Sequence, residues 1–331
     1  MTTNLSSAYD SAYGVGLQSD GKIVVGGDAG WDGRDSAFGV VRYHTDGTLD
    51  TRFGGGDGIV ITHFTRRLDP VAGLAVQSDD KVLVSGAAGL DRRDPKLAVA
   101  RYTATGELDT TFGADGKVTT NIGPETDFAN AIGVGQGGEI VAAGLTGMGR
   151  AAAFALVRYS DDGALDTTFG GDGIVTTRFS RADDSVHAVA VGGDGTVVAA
   201  GIAGCCGEDA SFALARYTID GGLDPTFSGN GKLTTAFSRR DDYAYGVAVQ
   251  DDGSVVAAGV SAAGGRNPKI AVARYTTAGE PDTTFSTDGL ATTDVSPGYD
   301  ASRGIAIQSD GKIVVSGNSA TEFAAVRYLS T

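Results

Sequence analysis

Six aspartates recur along the chain and are the first residues whose type and spacing suggest chemistry. Each precedes an alternating apolar segment: Asp10, Asp69, Asp127, Asp184, Asp242 and Asp300. Converging carboxylates repel one another unless a cation or hydrogen-bond donors offset their charge, and Ca²⁺ favours oxygen ligands. These six side chains are therefore candidate Ca²⁺ ligands at the mouth of a channel. The alternative is that each Asp caps its own turn through nearby backbone N–H groups.

A second recurring pattern joins an Arg to an Asp eight residues later and a Phe three residues beyond that Asp. Its five copies begin with the pairs Arg42/Asp50, Arg101/Asp109, Arg158/Asp166, Arg216/Asp224 and Arg274/Asp282. Strict recurrence favours a structural role, in which the Asp accepts a charge-assisted hydrogen bond from the Arg and the Phe packs between repeats. An anion-binding ring of arginines is the less favoured interpretation.

Residues that differ between the copies are better candidates for ligand binding, because variable loops on a rigid scaffold commonly carry function. We expect a binding face formed by Trp31, Arg34, Asp35, Arg92, Arg93, Arg150, Cys205, Cys206 and Arg266. The single Trp31 either anchors a partner or packs against a neighbouring loop. The adjacent cysteines form either a vicinal disulfide or two free thiols. The opposite face repeats similar short turns and is expected to discriminate ligands poorly.

One repeat contains four segments with the length and composition of β-strands. In the fourth repeat they are residues 184–191, 197–201, 211–217 and 232–237, separated by Gly-Asp-Gly and Asn-Gly turn signals. Short turns between alternating segments are typical of antiparallel hairpins. No window has the apolar period of a helix.

The pattern returns six times, with a period of about 58 residues, and such a period indicates one supersecondary unit copied along the chain. Six four-stranded antiparallel units predict an all-β, six-bladed β-propeller in one domain, residues 1–331. A linear β-solenoid is the rival architecture. Residues 1–6 align with residues 291–296, a fourth strand, and residue 328 ends a third strand. We therefore expect the N-terminal strand to complete the C-terminal blade and close the ring.

The motif Gln-Ser-Asp-Gly-Lys-Ile-Val-Val at residues 18–25 and 308–315, followed by Val-Arg-Tyr and Gly-x-Leu-Asp-Thr-Thr-Phe-Gly, resembles the bacterial delta-60 repeat. The blade rhythm is also similar to NHL-type propellers. The resemblance covers essentially the whole chain and implies a β-propeller of unknown function, with a secreted or cell-envelope setting. It supplies no catalytic residue.

The composition of the chain limits the classes of partner that the protein is expected to bind. The chain has 26 Lys and Arg against 41 Asp and Glu, a net charge of −15, which disfavours nucleic acid and anionic membrane surfaces. No apolar run approaches the roughly 18 residues that span a bilayer, and the N-terminus lacks the regions of a signal peptide. A cytoplasmic location therefore stays open beside the cell-envelope setting. We expect a monomer.

The leading functional hypothesis is a binding module whose variable-loop face engages a protein, glycan or small ligand. One alternative is a metal-assisted hydrolase, lactonase or lyase with its site at the channel mouth, for which the six Asp residues would supply ligands. The other is a structural repeat domain of a larger surface protein.

Overall fold

The computed structural model describes residues 2–91, 94–148, 152–205 and 209–329. Their strands form six antiparallel sheets, and these residues contain one short 3-10 turn, Phe53–Gly55, and no α-helix. The protein is thus a six-bladed, all-β propeller, as the sequence predicts. The chain groups into two compact units, Met1–Met148 with Ala155–Thr176, and Gly149–Phe154 with Thr177–Thr331. The single domain of residues 1–331 stays a prediction.

The first three sheets each contain four strands, with neighbours in chain order. They comprise β1 (Tyr9–Leu17), β2 (Ile23–Trp31), β3 (Ala37–Tyr43) and β4 (Ile59–Thr62); β5 (Val71–Val76), β6 (Val82–Ala88), β7 (Lys96–Tyr102) and β8 (Lys117–Thr120); and β9 (Asp127–Val134), β10 (Ile140–Thr146), β11 (Ala153–Tyr159) and β12 (Ile174–Thr177).

The last three sheets follow the same order, except that the sixth has three strands. They comprise β13 (Asp183–Val191), β14 (Val197–Cys205), β15 (Ser211–Tyr217) and β16 (Lys232–Thr235); β17 (Asp241–Val249), β18 (Val255–Ala263), β19 (Lys269–Tyr275) and β20 (Leu290–Thr293); and β21 (Asp300–Ile307), β22 (Ile313–Ser319) and β23 (Glu322–Tyr328).

In the five four-stranded sheets, the two middle strands are largely apolar on both faces, because neighbouring sheets of the same unit pack against each other. Between the fourth and fifth sheets, the fully buried side chains of Phe212 and Leu214 join Phe227 and Tyr275 in one core cluster. Near-continuous apolar strands of this kind are expected where both faces of a sheet are covered. The core therefore lies between sheets and leaves the loops at the strand ends available for other roles.

The N-terminal segment differs from its prediction. Residues 2–8 are not assigned to a strand, and the sheet of β21–β23 lacks the fourth strand expected from the N-terminus. Side-chain hydrogen bonds hold this segment instead: the Tyr43 hydroxyl donates to Thr3 Oγ1 at 2.8 Å, and Ser6 Oγ donates to Asp10 Oδ1 at 2.8 Å. Such bonds fix the segment beside the first sheet without the backbone ladder that defines a strand.

Candidate functional site

The carboxylate of each recurring Asp is occupied by donors from its own turn. Asp184 accepts hydrogen bonds from the backbone N–H groups of Phe179, Ser180 and Gly204 at 2.8 to 3.1 Å, and from Ser180 Oγ at 2.7 Å. Asp69 and Asp242 have equivalent donors. Among the described residues, no three His, Cys, Asp or Glu side chains converge as metal ligands do. These hydrogen bonds favour the turn-capping alternative, and the Ca²⁺ ring stays a prediction.

The Arg–Asp–Phe pattern forms the predicted structural contacts. In the second sheet Arg101 is fully buried and its Nε donates to Asp109 Oδ2 at 2.8 Å, while its guanidinium carbon lies 4.8 Å from the centre of the Phe112 ring. The other four copies make the same pair of contacts. These five arginines are therefore committed to packing and to ion pairs.

The predicted loop residues lie on different blades. Trp31 ends β2 with 36 % of its surface exposed, and Asp32 Oδ1 accepts the backbone N–H groups of Arg34 and Asp35 at 2.8 Å each, which closes this loop into a turn. In the second unit, Cys205 ends β14 at intermediate exposure and Arg266 is exposed beyond β18. Four of the predicted residues lie outside the described residues: Arg92, Arg93, Arg150 and Cys206. The choice between a Cys205–Cys206 disulfide and two free thiols therefore stays open.

A β-bulge places one variable side chain on the first strand of every sheet. The antiparallel register skips the third residue after each recurring Asp, and the skipped residues are Tyr13, Ala72, Asn130, His187, Tyr245 and Arg303. A bulge leaves one residue out of the ladder and redirects its side chain, and bulges are common beside functional sites. This position combines a fixed backbone with a variable side chain, since the six copies carry five different residue types.

Glycines on the second strands permit these bulges. A Cβ at Gly201 would lie 2.0 Å from the carbonyl oxygen of Ser185, and a Cβ at Gly259 would lie 1.9 Å from that of Tyr243. Corresponding glycines stand in the other sheets, with equivalent distances at Gly27, Gly86, Gly144 and Gly317. A side chain at these positions would push the first strand away, so the bulge depends on glycine.

Three bulge residues of the second unit form a cluster on β13, β17 and β21. The ring centres of His187 and Tyr245 are 5.3 Å apart in an edge-to-face arrangement, and the Arg303 guanidinium carbon lies 4.1 Å from the centre of the Tyr245 ring. The Tyr243 ring is 6.2 Å from that of Tyr245. His187 Nε2 is shielded from solvent and has no hydrogen-bond partner. The cluster thus combines a cation, aromatic faces and a buried polar nitrogen.

Burial and charge tune the groups of this cluster. Burial, with a smaller contribution from the Arg303 charge, lowers the pKa of His187 to about 4, so the imidazole is neutral at pH 7. Burial raises the pKa of Tyr245, although the nearby Arg303 opposes this shift. Burial also raises the pKa of Tyr243, and its hydroxyl donates to Asp241 Oδ2 at 3.0 Å. Arg303 is consequently the charged group that the cluster presents.

In the first unit, the bulge residue Tyr13 is hydrogen-bonded to Asp28 on β2. Asp28 on β2 is buried, which raises the pKa of its carboxyl group, while hydrogen bonds from the Val71 amide and the Tyr13 hydroxyl oppose this shift. The Val71 N–H donates to Asp28 Oδ1 at 2.7 Å. This acceptor is part of the packing between β2 and β5, and we assign it no ligand.

The binding residues predicted from the sequence include none of His187, Tyr245 and Arg303. A signal for them exists, because all three stand three residues after a recurring Asp, at a position where the six repeats carry five different residue types. The comparison of aligned repeats, rather than the search for recurring residues, would have found them.

Solved structures of similar fold have low sequence identity. Two glucose dehydrogenases match with TM-scores of 0.53 and 0.50, at 11 % and 12 % identity, the first covering 99 % of both chains and the second 98 % of both. A virginiamycin B lyase from Staphylococcus aureus matches with a TM-score of 0.43 and 10 % identity, covering 99 % of this chain and 98 % of that one. At such identities the likeness extends to the fold alone.

No curated protein matches the sequence. A family model matches all six repeats, at residues 18–53, 77–112, 138–169, 192–227, 250–285 and 308–331. This match supports the uncharacterised propeller family that the repeat motif predicts, although its description does not use the delta-60 name. The chain belongs to the family described as the domain of unknown function (DUF5122) beta-propeller.

Proposed function

We propose that this protein is a binding module that takes an anionic small ligand at the cluster of His187, Tyr245 and Arg303. The observation that carries the proposal is the state of Arg303: its side chain is exposed, lies over the Tyr245 ring, and forms no ion pair among the described residues. The five recurring arginines are paired with aspartates, whereas Arg303 shares one side-chain hydrogen bond with Tyr245, and its other guanidinium N–H groups can donate to a ligand.

A carboxylate is the anion that best suits this arrangement. A guanidinium can donate two parallel hydrogen bonds to a carboxylate, and charge-assisted bonds of this kind are roughly twice as strong as neutral ones. In a protein of net charge −15, a carboxylate is retained only where a cation is directed at it. Arg303 supplies that cation.

The neighbouring side chains favour a ligand that also carries an aromatic ring. The ring centres of Tyr243 and Tyr245 lie 6.2 Å apart, the Arg303 guanidinium carbon lies 4.1 Å from the Tyr245 ring, and aromatic pairs are worth about 0.5–1.5 kcal/mol beyond their burial. The neutral His187 offers Nε2 for one further hydrogen bond. The variable loop of the same unit that carries Arg266 would then select among ligands of this class.

The two alternatives receive less support. The metal-assisted enzyme depends on the recurring aspartates as ligands, and turn donors already engage those carboxylates. A purely structural repeat does not require His187, Tyr245 and Arg303 to differ at one bulge position. None of the described residues belongs to a helix long and apolar enough to cross a membrane.

Titration of the protein with benzoate and with uncharged benzamide, followed by calorimetry or NMR, tests the proposal. We expect benzoate to bind and benzamide to bind at least tenfold more weakly, because only the carboxylate pairs with Arg303. Arg303→Gln should abolish this difference. Arg327→Gln is the matched control, since Arg327 is exposed on the same sheet and also lacks an ion pair among the described residues. Equal binding of the two probes, or unchanged benzoate binding by Arg303→Gln, would overturn the assignment.

A further inference from the structure

A cavity of about 680 Å³ opens between the hairpin turns of the fourth and fifth sheets, at the end opposite to the variable loops. Its lining includes the glycines Gly192, Gly193 and Gly253, together with Arg216 and Thr277. All of these residues belong to the second unit. The equivalent turns of the first unit show which side chains occupy this position in another pair of sheets.

Between the first and second sheets, a glutamine amide bridges the equivalent turns. Gln18 Nε2 donates to the carbonyl oxygens of Asp80 at 2.8 Å and Ala104 at 3.2 Å, and Arg42 Nη1 donates to Gln18 Oε1 at 3.1 Å. Ser19 adds bonds from its N–H and its hydroxyl to the Asp80 carboxylate, at 2.6 and 2.5 Å. One carboxamide therefore satisfies two carbonyl groups and one guanidinium.

In the repeat alignment, glycine replaces each side chain that makes this bridge. Gly192 stands for Gln18, Gly193 for Ser19 and Gly253 for Asp80, while Arg216 and Thr277 stand for Arg42 and Ala104. The guanidinium and the carbonyl groups remain, and Arg216 Nη1 donates to the Thr277 carbonyl oxygen at 2.6 Å. The cavity thus retains the groups that receive a carboxamide and lacks the counterpart of Gln18. The Gln250 carboxamide also lines the cavity, but it donates to the Gly311 carbonyl and accepts from the Ser254 hydroxyl.

The cavity also has an acidic rim. Asp194, Asp251 and Asp252 contribute to its lining, whereas its one cation, Arg216, is already paired with Asp224. Hydrogen bonds from the Thr196 hydroxyl and amide hold the pKa of Asp194 below its ordinary value, and those from the Ser254 hydroxyl and amide do the same for Asp252. These carboxylates are therefore ionised at pH 7 and favour a ligand that carries positive charge.

We propose that this cavity binds a ligand with a primary carboxamide beside a cationic amine. The carboxamide takes the place of the missing Gln18 equivalent, with its N–H groups toward the carbonyls of Gly253 and Thr277 and its oxygen toward Arg216. The amine lies toward the rim carboxylates. This site is separate from the Arg303 cluster, prefers the opposite charge and does not depend on the proposed function.

The test uses 4-aminobutanamide as the probe in an NMR titration of the full chain. Three related molecules separate the contributions: 4-aminobutanoate replaces the amide by a carboxylate, butanamide lacks the amine, and pentylamine lacks the amide. We expect binding of 4-aminobutanamide in the millimolar range, which is usual for so small a ligand, and at least fivefold weaker binding of each of the others.

The decisive variant is Gly192→Gln, which restores the side chain found at Gln18. The φ angle of Gly192 lies outside the left-handed region. An added Cβ would lie 2.7 Å from Asp194 Oδ1 and 2.8 Å from Thr196 Oγ1, so these two side-chain ends must shift, and 3.5 Å from the Thr196 carbonyl oxygen, which is an ordinary contact. We expect the variant to bind 4-aminobutanamide at least tenfold more weakly and to melt at a higher temperature. Gly222→Gln in the same repeat, at an exposed glycine outside the cavity lining, should bind like the wild type.

The outcomes distinguish this proposal from loss of folding and from failure of the Arg303 assignment. Unchanged probe binding by Gly192→Gln, equal binding of 4-aminobutanoate, or no binding of 4-aminobutanamide by the wild type would each overturn it. A Gly192→Gln protein that keeps its melting transition and its response to benzoate while losing the probe would support it.

Discussion

The Arg42–Asp50 pair illustrates how residues repeated for structural reasons can be told from residues that bind. Arg42 Nε donates to Asp50 Oδ2 at 3.0 Å, Arg42 is 6 % exposed and Asp50 is 1 % exposed, and the guanidinium lies 4.6 Å from the centre of the Phe53 ring. A buried ion pair adds little net stability, but removal of one partner leaves an uncompensated charge. Its recurrence therefore marks a position where change is costly.

We expect Asp50→Ala to lower the free energy of unfolding by about 3–5 kcal/mol, because the buried Arg42 loses its partner. Asp79→Ala is the control: Asp79 pairs with Lys81 at 2.9 Å, but its side chain is 52 % exposed, so the cost should stay below about 1 kcal/mol. Urea midpoints of both variants and the wild type measure the difference. Similar midpoints for the two variants would contradict the structural role.

His187 gives a pH dependence whose sign follows from its lowered pKa. The folded protein holds the imidazole neutral down to about pH 4, whereas the unfolded chain takes up a proton near the ordinary value of 6.5. The stability contributed by His187 is therefore present above about pH 6.5 and is lost as the pH falls toward 4.

Between pH 7 and pH 4.5 we expect the wild type to lose up to about 2 kcal/mol more stability than His187→Gln, which cannot take up this proton. The comparison cancels the acid sensitivity of the many aspartates, which both proteins share. Chemical unfolding at several pH values provides the measurement. If the two stability curves run parallel, His187 is not a buried neutral base.

At the scale of elements, the recurring bulge allows the first strand of each sheet to carry a variable side chain on a constant backbone. The bulge on β17 excludes Tyr245 from the ladder with β18, and Gly259 makes room for the Tyr243 carbonyl. The backbone is thus held constant by glycine while the bulged side chain is free to vary. The Arg303 cluster exists because three neighbouring first strands share this bulge.

Gly259→Ala should be strongly destabilising, by about 3 kcal/mol or more, because the added Cβ meets a backbone oxygen that cannot rotate away. Gly229→Ala is the control, since that glycine has a φ of +75° but nothing lies within 4 Å of an added Cβ. Its cost should be about 1–2 kcal/mol from backbone strain alone. Thermal melts compare them, and a smaller loss at Gly259 than at Gly229 would show that the bulge does not require glycine.

The hairpin turns also differ more than the sequence analysis expects. The face they form is expected to repeat similar turns with little power of discrimination, yet Gln18 bridges two turns in the first unit whereas Gly192 leaves a cavity in the second. The turns are therefore not uniform at this place, and the expectation that this face discriminates ligands poorly stays a prediction. The cause is the replacement of three hydrogen-bonding side chains, Gln18, Ser19 and Asp80, by glycine at the corresponding turn positions.

At the scale of the whole molecule, six copies of one unit share the recurring Asp, and its role decides whether a cation is needed. Asp300 accepts the Val295 and Ser296 N–H groups at 2.7 and 3.1 Å and the Ser296 hydroxyl at 3.0 Å. Burial alone would raise the pKa of Asp300, but these bonds and one from Ser319 hold it below its ordinary value. The charge of Asp300 is thus balanced by the hydrogen-bond donors around it.

We expect the melting temperature to be unchanged, within about 1 °C, after addition of Ca²⁺ and after treatment with a chelator, because protein donors already satisfy these carboxylates. Calorimetric melts of protein purified without chelator supply the measurement. A rise of several degrees with Ca²⁺, lost in Asp184→Asn, would instead support the predicted metal ring.

The sequence by itself determines the architecture of this protein. Strict recurrence of Arg158, Asp166 and their counterparts, with short turns between alternating segments, leaves a β-propeller of six units as the fold. It also predicts the buried ion pairs, since a residue required in every copy serves what the copies have in common. Local patterns suffice here because each strand and turn is encoded within a few residues.

Tertiary structure decides which of the remaining residues act together. His187, Tyr245 and Arg303 lie about 58 residues apart along the chain, and a shared bulge brings their side chains to within 4 to 6 Å of the neighbouring ring or charge. Gly192 and Gly253 similarly form a cavity only because the two turns that carry them face each other. Such contacts depend on how the sheets pack and on which positions lack a side chain. The sequence pattern of a single repeat predicts neither.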